Sequence, residues 1–150
     1  MLRHARALSS SLRLATSPNS VLRVRGNPAL LMIRTNMETD VAEVEAEDSV
    51  GFPLDASLWT STSAKHGQIT VHPSGAAARS RVVVSVPAAF NVAVDLEEPC
   101  DVEVKGWLDG TVEVAVPEGT VSVGTVRGLM TRVHTGGGDV DVEHVEGNLD

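Results

Sequence analysis

From Gln68 onward, valine and isoleucine recur at alternate positions, and glycine, proline, asparagine or aspartate interrupts each run. This pattern predicts strands over 68–72, 81–86, 91–95, 101–104, 111–116, 120–123, 129–134 and 139–143. Val92/Val94, Val102/Val104, Val112/Val114/Val116, Val121/Val123 and Val140/Val142 take one face of these strands. Glu103, Glu113, Ser122, Asp141 and Glu143 take the other. Period two with one dry and one wet face marks a half-buried strand. No helical pattern of comparable length exists here, so the expected class is all-β.

The turns narrow that class. Gly110, Gly119, Gly128, Gly138 and Gly147 stand 9, 9, 10 and 9 residues apart, and an apolar-x-apolar unit follows the first, second and fourth. A short fixed period is how repeat arrays look in sequence. Glycine suits a corner where coils approach closely, and valine suits a thin interior. The reading is a β-solenoid, with a β-sandwich of short turns as the alternative.

Before this region the patterning differs. Residues 38–64 read as an acidic, then polar, linker in which Glu43, Glu45 and Glu47 alternate with Val44 and Ala46, either a short strand or solvated chain. Phe52 and Trp59 in it are expected to cap the first layer of the β domain, which spans 65–150. Residues 1–37 hold six arginines, several serines, no lysine and no acid. On a helical wheel Met1, Ala5, Leu8, Leu12 and Ala15 share a face opposite Arg3, Arg6 and Arg13. Arg-rich, Ser-rich and acid-free is transit-peptide composition, so the expected address is the mitochondrion, with cleavage between Arg25 and Met37.

Charge and composition then exclude several functions. The net charge is −8, and from Glu38 onward 20 acids stand against six bases, a net of −14, so no nucleic-acid footprint is present. The longest apolar run is 29–33, too short for a membrane span. One cysteine permits neither a disulfide framework nor a thiolate-built zinc site. The 24 valines and four aromatic residues fit thin β layers.

A closer look at 136–149 gives Gly136-Gly137-Gly138-Asp139-Val140-Asp141-Val142, then Glu143-His144-Val145-Glu146-Gly147-Asn148-Leu149. This unit resembles the Gly-Asp-Val repeat of the putative-adhesin β-solenoid family. With the Arg-rich leader, the chain is similar to the eukaryotic mitochondrial branch called family with sequence similarity 185. The resemblance implies a right-handed β-solenoid and, for that branch, a mitochondrial address. It transfers no catalytic or binding residue.

Candidate chemistry is sparse. The glycines at 136–138 lack the Lys-Ser/Thr pair of a phosphate loop, and one imperfect turn cannot build a calcium ladder. His66 and His72, like His134 and His144, lack ligand spacing and read as solvated strand-end residues. Cys100, among Glu97, Glu98 and Asp101, should hold its proton and reads as a turn residue. Glu103, Glu113, Asp141 and Glu143 could serve as acid and base in a sugar groove, but Trp107, Lys105 and Arg132 look like scattered singles. Catalytic, cofactor-binding and metal residues are therefore expected to be none.

The expected function is a non-catalytic binding or assembly module of the mitochondrion, with an unknown protein partner. A solenoid hydrolase or lyase on a sugar polymer is the alternative. Gly147 and Leu149 begin a further unit that does not finish. The β domain is therefore expected to be C-terminally incomplete, to associate end to end through its open last coil, and to aggregate when 38–150 is expressed alone.

Overall fold

The computed structural model describes residues 12–16, 20–36, 41–63, 67–73 and 78–150. Among them the strands are β1 (Leu12–Ala15), β2 (Val21–Gly26), β3 (Leu30–Thr35), β4 (Val41–Glu47), β5 (Thr60–Ser63), β6 (Gln68–Val71) and β7 (Arg81–Val86). They continue as β8 (Asn91–Leu96), β9 (Asp101–Leu108), β10 (Val112–Val116), β11 (Val121–Val126), β12 (Met130–Thr135), β13 (Val140–Val145) and β14 (Asn148–Leu149). One 3-10 turn, Ala56–Leu58, interrupts them, capped by the Asp55 carboxylate, which accepts from the Ser57 backbone N–H. The protein is all-β, as its alternation predicts, and all eight strands expected after residue 67 are present within a few residues of their expected ends.

The strands form two mixed seven-stranded sheets. The first runs β1-β4-β7-β3-β9-β11-β13 and the second β14-β12-β10-β8-β2-β6-β5. From β6 onward successive strands alternate between the sheets, and neighbours within a sheet run parallel wherever this alternating part pairs with itself. Val92 lies beside Val112 and Val112 beside Thr131; Val102 lies beside Val121 and Val121 beside Val140. Each strand thus pairs with the one 18 to 20 residues later. That offset is two of the nine-to-ten-residue glycine periods, one for each sheet. Among the described residues antiparallel strand pairs are β1–β4, β4–β7 and β5–β6, with one isolated antiparallel bridge between Glu47 and Pro53.

Inward side chains form one apolar cluster running through both sheets, valine-rich with Phe90 among its largest members. Compact branched side chains suit this spacing because each inward position meets its copy in the next strand, about 4.8 Å away.

Three expectations need correction. The leader expected over 1–37 as helix or disordered chain instead supplies β1, β2 and β3 where it is described; 1–11, 17–19 and 37 lie outside the described residues. Leu22 and Val24 alternate with Arg23 and Arg25, and Leu31 and Ile33 with Met32 and Arg34; all four apolar residues are fully buried. That is the same period-two signal used downstream, hidden by the arginine content. The boundary expected at 65 is likewise displaced. β2 lies between β6 and β8, and β3 between β7 and β9, so early chain fills the middle of both sheets. In the expected linker, β4 is a strand with Ala42, Val44 and Ala46 inside. Trp59 packs against the core, but Phe52 is 66% exposed and shields no layer, because the turn at 48–52 is held by Asp48 instead. Among the described residues no helix is long and apolar enough to cross a membrane.

Candidate functional site

The alternation of β9 breaks at one place. Val104 and Leu108 are buried, while Lys105, Gly106 and Trp107 between them are exposed. Val104 pairs with Val123 and Trp107 with Thr125, so two residues, Lys105 and Gly106, oppose Gly124 alone. An extra residue in one strand kinks it and re-aims the side chains that follow. Gly106 supplies the kink with φ of +84°, a conformation that glycine adopts without penalty. The result is a tryptophan turned out to solvent, 52% exposed, in a chain with only four aromatic residues. The Thr35 hydroxyl donates to the Trp107 carbonyl and fixes the segment against β3.

Arg127 completes this feature. Its guanidinium lies 5.2 Å from the Trp107 ring centroid, and its Nη2 and Nε lie 2.9 and 3.0 Å from one oxygen of Asp109. Asp109 steers the cation over the ring, a contact worth about 0.5–1 kcal/mol at an exposed site. Beside it the two glycines leave a shallow depression of about 280 Å³, lined by Glu103, Lys105, Ser122 and Glu143. Lys105 Nζ is 3.2 Å from Glu103. Glu143 makes no ion pair among the described residues. The arrangement can take a cation at the carboxylates and a flat or aliphatic group at the ring.

The residues singled out from sequence scatter otherwise. Glu113 and Arg132 belong to the second sheet, where Arg132 pairs with Asp150 at 3.2 Å. Asp141 aligns with Ser122, and Ser122 with Glu103. Trp107 and Lys105 are therefore not isolated singles, whereas Arg132 is unrelated to them. His66 lies outside the described residues; His72 is exposed. His134 and His144 sit on different sheets, and His144 Nε2 is 3.6 Å from Glu146. The 136–138 glycines form a corner whose Gly137 carbonyl accepts from the Gly119 N–H and the Thr135 hydroxyl. Cys100 is buried and its thiol is pushed up to about 12, by desolvation first and the Asp101 carboxylate second, with Arg79 opposing. Among the described residues no three His, Cys, Asp or Glu side chains group as a metal ion would require.

A second hollow, about 220 Å³, opens on the first sheet over Leu30, Met32, Val83 and Pro53. Glu45 borders it with its carboxyl raised above the usual range, chiefly by a hydrogen bond with Glu43, then by burial and Glu43's charge, against Arg34. Residue order alone does not single out Glu45, because the acidic alternation of β4 fits a strand and a solvated linker equally. Nor does it single out Arg127 and Asp109, which stand 18 residues apart and become neighbours only through the parallel pairing of β9 with β11.

No protein-family model and no curated protein matches the chain. Solved structures similar to it include the following two. One is a putative adhesin from Parabacteroides distasonis, at 11% identity and a TM-score of 0.47, covering 87% of this chain and 64% of that one. The other is a putative cell adhesion protein from Clostridium sporogenes, at 9% identity and a TM-score of 0.38, covering 93% of this chain and 96% of that one. This chain thus spans 64% of the length of the Parabacteroides protein.

Proposed function

We propose that the protein is a non-catalytic binding or assembly module, built as a right-handed β-solenoid of the putative-adhesin kind and acting in the mitochondrion. The solenoid reading is supported by parallel pairing at an offset of 18 to 20 residues and by alternation between two sheets. The address rests on the arginine-rich, acid-free start, and a fusion of residues 1–40 to a fluorescent protein tests it. The observation that carries the binding reading is Trp107, re-aimed to solvent by the Gly106 bulge and backed by Arg127. Tryptophan and arginine dominate the energetics of recognition surfaces, and a buried position would have been simpler for a core residue. Proximity labelling from the wild-type chain and from Trp107→Ala tests the reading. A set of labelled proteins that disappears in the folded variant supports it; an unchanged set contradicts it.

The second reading, a solenoid hydrolase, is favoured by Glu103 and Glu143 lining one depression that includes Gly106, the residue before Trp107. Glu103 is already paired with Lys105 on an open face, which suits recognition better than proton transfer. Cleavage of an acidic or neutral sugar polymer that is lost in Glu143→Gln would favour the enzyme.

A further inference from the structure

Charge decides what the Trp107 surface can meet. Asp101, Glu103, Asp141 and Glu143 belong to β9 and β13 of the first sheet, against Lys105 alone among these strands' bases. Lys105 is committed to Glu103, and Arg127 to Asp109. Asp141 and Glu143 make no ion pair among the described residues. The depression at Gly106 and Gly124 is lined by two carboxylates, and Trp107, which follows Gly106 in β9, already holds one guanidinium over its ring. An aromatic face attracts cations, and unpaired carboxylates repel a second acidic surface.

We infer that the outer face of β9, β11 and β13 docks a basic, extended protein segment. A lysine or arginine of that segment enters the depression between Glu103 and Glu143, and a neighbouring side chain lies along Trp107. The inference rests on the binding-module reading and names its partner class. Acidic proteins, neutral glycans and a second copy of this chain are not its occupants. The acids on this face would repel another acidic surface, and a neutral ligand would leave Glu143 unanswered.

The test uses the full chain and a short labelled peptide of alternating Lys/Arg and Ser, titrated by fluorescence anisotropy at about 0.15 M salt, where distant charges are largely screened. Trp107→Ala and Glu143→Lys each weaken binding about tenfold or more, while Glu113→Lys, the same charge change on the other sheet, weakens it less than about threefold. Equal weakening by Glu113→Lys would mean net charge alone and overturns the inference. So does tighter binding of a neutral oligosaccharide, or self-association that Trp107→Ala abolishes. Proximity labelling separates the two levels. Labelling that depends on Trp107 without peptide binding overturns the basic partner and leaves the module standing. Labelling and peptide binding that both ignore Trp107 overturn both.

Discussion

Gly119 lies against the carbonyl of Cys100, 19 residues earlier, so closely that a Cβ on Gly119 would sit 2.1 Å from that oxygen. The contact repeats along two columns: Gly138 leans on the Gly119 carbonyl, and Gly128 and Gly147 lean on those of Gly110 and Gly128. The nine-to-ten-residue glycine period is therefore a packing requirement between stacked corners. Gly119 also has φ of +136°. Gly119→Ala should cost about 3 kcal/mol or more, from overpacking against rigid backbone added to a strained dihedral. Gly137, whose nearest neighbour would be 3.8 Å from a Cβ, should accept alanine within about 0.5 kcal/mol. Urea midpoints of the two variants check this; equal losses would contradict the corner account.

Thr131 occupies an inward column otherwise held by Val92 and Val112. It is fully buried, and its hydroxyl has no hydrogen-bond partner among the described residues. Thr131→Val keeps the shape and removes the unpaired group, so it should stabilise the fold by about 1 kcal/mol. A raised thermal midpoint is the expected outcome.

Cys100 gives the fold an alkaline weakness. Its thiol ionises near 9.0 when unfolded and at about 12 when folded. Between those values the unfolded chain sheds a proton that the folded chain keeps, so stability is intact below pH 9 and falls as pH rises towards 12. The chain has no tyrosine and two lysines, which leaves few other groups to titrate there. Cys100→Ala should flatten the decline, measured as urea midpoint against pH. Iodoacetamide should spare the folded thiol at pH 8.

The early strands are indispensable to the core. Leu22, Val24, Leu31 and Ile33 fill the middle of both sheets, so a chain beginning at Glu38 should show no cooperative melt by circular dichroism. A chain beginning at Leu12 should melt cooperatively. Any import processing should therefore cut before Ser20, and a mature terminus found after Ser20 would contradict this placement.

Much of this architecture is legible from residue order. Val112, Val114 and Val116 against Glu113 announce a half-buried strand without help from any neighbour, and the glycine period marks the turns between strands. Two things are not local. Arg23, Arg25 and Arg34 point outward between buried residues, and by residue order alone they read as part of an arginine-rich leader; only the sheet order reveals β2 and β3 as interior strands. The site is equally non-local. Gly106 beside Trp107 hints at a bulge, but the partnership of Trp107 with Arg127 and Asp109 exists only once β9 and β11 pair in parallel.

The most direct test of the account is site-specific photocrosslinking in cells that express the full chain. A photoreactive side chain replaces Thr125, which pairs with Trp107 on the first sheet, or Ala115 in β10 on the second. The account predicts discrete crosslinked products from position 125, lost when Trp107→Ala is added, and none from position 115. Products of equal yield from both positions, or from neither, would contradict it.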